Sequence, residues 1–221
     1  MLKKLRVLFA VVMGAVITFY FLDFAGLTTG WPNLARIQFV PALLAGSFGI
    51  VLILLVATLL FGRIYCSVIC PLGVFQDAVS WFSGKQKKNR FRYSPALKWL
   101  RYGVLAVFIL ALVAGLNTFV VLLAPYSAYG RMVSSLLAPV WQWGNNLLAY
   151  FAERAESYAF YEVDVWMKSL STLIIAVITL IVLFVLAWRN GRTYCNTICP
   201  VGTVLGFISR YSIFKPVIDT S

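Results

Sequence analysis

Cys66, Cys70, Cys195 and Cys199 are the side chains of this 221-residue sequence best suited to chemistry, and they come as two matched pairs. They stand in GRIYCSVICPLG (Gly62 to Gly73) and GRTYCNTICPVG (Gly191 to Gly202), identical at eight of twelve positions and repeated at a period of 129 residues. A four-residue spacing puts the two sulfurs of a pair about one turn apart on one face of a helix or tight turn. Pro71 and Pro200 follow directly. A proline keeps the preceding residue out of the helical region and suits the first position of a new helix, so Cys70 and Cys199 are expected as caps with free N–H groups pointing at their sulfurs. A helix N-terminus favours negative charge, and Arg63 and Arg192, three residues before the first cysteine of each pair, add positive charge, so thiolates or an anionic cluster would be stabilised. Gly73 and Gly202 are expected to let the helices approach closely.

Four thiolates brought together select iron–sulfur, zinc or copper(I), and exclude magnesium and calcium. The C-x3-CP ending also closes the bacterial ferredoxin run, whereas structural zinc prefers shorter C-x2-C knuckles. Copper(I) routes favour thioether ligands, and the four methionines, Met1, Met13, Met132 and Met167, form no cluster. The chain has no histidine, which excludes a haem b held between two histidines and histidine-based proton relays. A lone C-x3-C is more often a small apolar pair in a core, but its duplication inside a twelve-residue repeat weakens that reading. Three readings stay open: an iron–sulfur electron carrier, a copper(I)-binding or copper-reducing assembly factor, and a scaffold subunit with structural zinc.

The elements that must position these cysteines are membrane helices. The sequence is 62% hydrophobic and 12% charged with a mean hydropathy of +0.88, far from the balance of a soluble domain. Runs near the ~20 residues that cross a bilayer core occur at Leu5 to Phe24, Phe39 to Phe61, Tyr102 to Ala124 and Leu170 to Trp188. The net charge of +12 reads as an orientation signal rather than a nucleic-acid footprint, because 15 of the 19 basic residues fall at the N-terminus (Lys3, Lys4, Arg6), between the second and third spans, or after the fourth. Both termini are therefore expected in the cytoplasm, and a disulfide between the motifs is disfavoured on that reducing side. Met132 to Phe151 is uncharged but interrupted by Pro139, Gly144, Gln142, Asn145 and Asn146, so it reads as an amphipathic helix on the outer surface. The fold class is an all-α integral membrane protein: four transmembrane helices as two parallel two-helix repeats, 1–83 and 99–221, plus that interfacial helix. A basic cytoplasmic linker, 84–98, joins them, and its Lys85, Lys87, Lys88, Arg90 and Arg92 suit anionic lipid. Such repeats would bring both motifs to one membrane face.

These motifs, with IQFVPALLAG (Ile37 to Gly46) and APYSAYGR (Ala124 to Arg131), resemble the membrane-bound polyferredoxins with paired C-x3-CP motifs, relatives of the membrane subunits that serve nitrate and nitrous oxide reductases. The resemblance covers nearly the whole chain. It implies a bacterial inner-membrane protein with a cluster, 4Fe-4S favoured over 2Fe-2S, ligated by Cys66, Cys70, Cys195 and Cys199 and supported by Arg63, Pro71, Gly73, Arg192, Pro200 and Gly202. It implies electron transfer within a larger oxidoreductase complex, towards a quinone pool or a membrane or periplasmic redox partner, with a ferredoxin-type donor in the cytoplasm. Proteins of this type commonly continue into a ferredoxin domain, and the sequence stops at Ser221, about where that domain would begin.

Overall fold

The computed structural model describes residues 2–22, 36–85, 97–154, 162–163 and 169–214. Among the described residues there are helices and turns and no strand, as expected where backbone groups must be satisfied within the segment. In chain order come α1 (Leu2–Leu22), α2 (Phe39–Leu44), α3 (Phe48–Phe61), a π-helical turn (Tyr65–Ile69) and α4 (Pro71–Lys85). Then follow α5 (Lys98–Val113), α6 (Asn117–Leu123), α7 (Pro125–Met132), a second π turn (Val133–Leu137), α8 (Ala138–Arg154), α9 (Leu170–Asn190), α10 (Thr193–Thr197) and α11 (Pro200–Ile208).

Two of the four expected spans are broken helices. Phe39 to Phe61 divides at Gly46 and Tyr102 to Ala124 divides at Gly115, with φ of 67° and 69°. The two breaks are built alike. Gly46 N–H donates to the Leu43 carbonyl at 3.2 Å and Ser47 N–H to Ala42 at 2.9 Å; Gly115 N–H donates to Leu112 at 3.3 Å and Leu116 N–H to Ala111 at 2.9 Å. This paired closure satisfies the last carbonyls of a helix and needs the left-handed conformation that glycine adopts freely. A hydropathy window does not sense it, because the flanking residues stay apolar. Among the described residues, two helices are long and apolar enough to cross a membrane, within Lys4–Leu22 and Leu170–Asn190, and up to three if α6 and the helical run Pro125–Arg154, which meet at 76°, form one bent span or a re-entrant loop. The segment expected on the outer surface lies within that run, and Val140, Trp143 and Phe151 point outward from it. The linker residues Lys87, Lys88, Arg90 and Arg92 lie outside the described residues.

The packing crosses between the repeats. The helix after each motif lies against the helix before the other, α4 on α9 and α11 on α3, while α1 covers α4 and α5 covers α11. Ser80 and Ser83 of α4 donate to the carbonyls of Ala187 and Trp188 at 3.2 and 2.8 Å. In return, the N–H groups of Ile213 and Phe214 donate to the carbonyls of Leu59 and Leu60 at 3.0 and 3.1 Å, and Phe214 stacks on Phe61. Leu54, Leu72, Phe108, Leu183, Val201 and Leu205 form the core of this exchange, and the four cysteines belong to the same cluster.

A buried polar bridge ties the first motif to α2. The Gln38 carboxamide accepts from the Tyr65 hydroxyl at 2.9 Å and donates to the Ile69 carbonyl at 3.3 Å, and Tyr65 accepts from Phe39 N–H at 3.1 Å. Gln38 is fully buried, so removing it leaves partners without water to replace it. Gln38→Leu should lower stability by about 1–3 kcal/mol, read as a lower melting temperature of the detergent-solubilised protein.

Candidate metal centre

Both motifs close with the same backbone bond. Cys70 N–H donates to the Tyr65 carbonyl at 2.9 Å and Cys199 N–H to the Tyr194 carbonyl at 3.0 Å, each spanning five residues. The chain then extends at Cys70 (φ −75°, ψ 113°) and Cys199 (φ −68°, ψ 117°) before Pro71 and Pro200 open α4 and α11. Both second cysteines are thus N-caps. The Cys199 sulfur accepts from Gly202 N–H at 3.4 Å, and the amides of Leu72 and Gly73 hold the same relation to Cys70. The glycines are steric necessities: a Cβ on Gly73 would overlap the Cys66 carbonyl oxygen, and one on Gly202 the Cys195 carbonyl oxygen.

All four cysteines are buried and unpaired by disulfides, and they sense one another across the repeats. Burial, then the neighbouring Cys195, pushes the Cys66 thiol up to about 12, with Arg63 and Arg192 pulling it back. Burial raises Cys70, Cys195 and Cys199 as well. Without a bound metal these groups would be neutral thiols, which must release protons to bind one. Among the described residues no three of His, Cys, Asp or Glu are close enough to hold a single ion. Four cysteine sulfurs gathered from two repeats into one buried cluster fit an iron–sulfur centre by their donor chemistry.

Three side chains complete the surroundings. Arg192 forms an ion pair with Asp77 of α4, the salt-bridge role that an acid seven residues after Cys70 invites. Arg63 donates to the Asn196 carboxamide at 2.6 Å. Gln76 of α4 donates to the Cys195 sulfur at 3.2 Å, and its carbonyl oxygen is buried without a partner. Sequence reasoning passed over Gln76 because it lies outside the repeated twelve residues; its only signal was that the equivalent position 129 residues later is Leu205.

Gly73→Ala and Gly202→Ala should each cost at least about 2 kcal/mol through overlap with a backbone carbonyl that cannot step aside, measurable as a fall in melting temperature that exceeds the effect of Gly103→Ala, where nothing lies within 4 Å. Thiols with raised pKa favour the folded metal-free protein below pH 9, and that contribution disappears as pH climbs towards about 12 for Cys66. Alkylation of metal-free protein by iodoacetamide should accordingly be slow at neutral pH and accelerate only in strong alkali.

The 4Fe-4S binding domain model matches this chain twice, over residues 43–89 and 171–218, so that each match contains one cysteine pair. The methylamine utilization ferredoxin-type protein MauN of Paracoccus denitrificans is 27% identical over 188 residues, which is 84% of this chain and 50% of that protein. The ferredoxin-type protein NapH of Haemophilus influenzae is 26% identical over 172 residues, 77% of this chain and 47% of its own. The chain thus spans about half the length of these curated relatives. No solved structure matches it. Two matches to the 4Fe-4S binding domain model, each containing a buried cysteine pair, and ferredoxin-type relatives aligned over most of the chain make this chain similar to the polyferredoxin-like 4Fe-4S proteins.

Proposed function

We propose that this chain is an electron-transfer subunit of a membrane redox complex, in which Cys66, Cys70, Cys195 and Cys199 jointly ligate one 4Fe-4S cluster. The observation that carries the reading is the gathering of four buried thiols from the two repeats into one core cluster, one pair inside each match to the 4Fe-4S binding domain model. When bound, such a cluster exchanges single electrons at a potential set by burial and by hydrogen bonds to its sulfurs. The chain supplies those bonds: Gly202 N–H to Cys199 and the Gln76 carboxamide to Cys195. Arg63 and Arg192 contribute the positive charge that an anionic centre requires, and Pro71 and Pro200 set the capped turns that hold Cys70 and Cys199.

The concentration of basic residues beside the motifs supports an inner-membrane protein with both termini and the cluster on the cytoplasmic side. One centre at that face cannot carry electrons across ~30 Å of hydrocarbon, so other subunits or a diffusible quinone complete the path. A cavity of about 710 Å3 between α1 and α4 suits a quinone head group: Val7, Val11, Val74, Trp81 and Phe82 offer apolar walls, and Arg6, Ser67 and Asp77 bring polar groups. A ferredoxin-type donor in the cytoplasm fits the same arrangement. Residues 1–83 and 99–221 act in this scheme as the two halves of the cluster site, joined by the basic segment 84–98 that contacts lipid.

Protein purified without oxygen should contain iron with matching acid-labile sulfide and show an EPR signal after dithionite reduction. Both should vanish when all four cysteines are replaced by serine. Copper or zinc without sulfide would sink the proposal. Gln76→Leu should keep the iron but lower the reduction potential by roughly 40 mV, the equivalent of a hydrogen bond worth about 1 kcal/mol.

A further inference from the structure

Superposing the repeats at their 129-residue offset lays Arg63 on Arg192 and Gly206 on Asp77. On one side the guanidinium meets a carboxylate, the Arg192–Asp77 pair. On the other, the chain has placed a glycine where the carboxylate would be. Arg63 Nη2 lies 2.5 Å from where a Gly206 Cβ would stand, and Arg101 Nη2 lies 2.6 Å from it. Two guanidinium groups therefore converge on a point from which the balancing anion is missing. Arg101 donates to the Thr203 carbonyl at 3.3 Å, but its Nε is buried without a partner. Arg63 satisfies one N–H with the neutral Asn196 amide. Among the described residues Arg192–Asp77 is the only ion pair.

Arg63 also borders an open cavity of about 650 Å3 that it shares with Arg6, Arg192 and the hydroxyls of Ser67, Ser209 and Ser212. Counting Asp77 behind Arg192, the charged groups around this space still sum to an excess of positive charge. Planar guanidinium forks bind tetrahedral oxyanions through paired hydrogen bonds, and serine hydroxyls supply further donors. The volume exceeds what a halide or a lone carboxylate would fill. We infer that this cavity is a binding site for a phosphate-type oxyanion, held chiefly by Arg63, with Arg6 and the three serines completing its contacts. The cavity shares Arg63 and Arg192 with the surroundings of the cysteines, but its test does not depend on the cluster reading. Its phosphate belongs either to the head group of an anionic phospholipid or to a soluble phosphate-bearing molecule, since the cavity opens beside Phe61 and Phe214 at a helix end as well as to solvent.

The test uses the full chain in phosphatidylcholine nanodiscs, melted across a series of inorganic phosphate concentrations at constant ionic strength, and in parallel discs containing phosphatidylglycerol. A saturable rise in melting temperature with either probe is expected. A rise with inorganic phosphate assigns a soluble ligand, and a rise with phosphatidylglycerol alone assigns the head group. Arg63→Gln should weaken the response about tenfold, the loss of one charge-assisted contact. Gly206→Asp returns the carboxylate that Asp77 supplies on the other side; the atoms its Cβ meets are the tips of two flexible arginines, which can move. That variant should melt at or above the wild-type temperature without any probe and lose its response to both. No saturable rise with either probe, or a rise that both variants leave unchanged, would overturn the inference.

Discussion

The structure turns on a contact that admits nothing larger than a hydrogen atom: the bare Cα of Gly73 against the Cys66 carbonyl, and that of Gly202 against the Cys195 carbonyl. This approach folds the helix after each motif back onto the turn before it, and so fixes the direction in which α4 and α11 leave. Because they leave in that direction, each reaches the helix that precedes the opposite motif. The exchange in turn carries four cysteines, distant in sequence, into one core cluster. Proline supplies the other half of the constraint. It ends the preceding turn at an extended cysteine and starts a helix whose first amides face the sulfur.

Around this nearly symmetric frame the electrostatics are unequal. Gln76 presents an N–H to the Cys195 sulfur, while the equivalent Leu205 offers only apolar surface. Asp77 neutralises Arg192, while the equivalent Gly206 leaves Arg63 facing Arg101. A duplicated scaffold needs its shared residues at the turns, where geometry is strict, and can differ one helical turn further on, where only the field changes. Those differences give the two halves of the site distinct surroundings without altering its shape.

The apolar surface of the molecule is extensive, with Phe48, Leu52, Ile53, Leu110, Val113 and Ile178 more than half exposed or close to it, as suits helices in contact with lipid. The interior polar groups are few and specifically paired, as in the link from Gln38 to Tyr65 and from Thr18 to Tyr129 at 2.7 Å. Where the helices break, at Gly46 and Gly115, the freed carbonyls are recaptured within the same segment. Irregular backbone is tolerated in apolar surroundings on that condition.

The chain alone determined its helical class, its duplicated cysteine motif and the capped turns, because these follow from short-range rules: apolar composition, a four-residue spacing, a proline after each second cysteine. It also marked Gly73 and Gly202 as places of close approach. It did not reveal that two apolar runs break, since a glycine closing a helix leaves the hydropathy of its neighbours unchanged. Nor did it reveal the partners of Gln76, Gln38 and Arg63, which lie on other elements and are set by how α4 and α11 cross between repeats. Only tertiary packing decided that Asp77 would serve Arg192 and that Arg63 would be left opposite a glycine. Pairing across more than a hundred residues depends on where helices meet, and no local spacing encodes it.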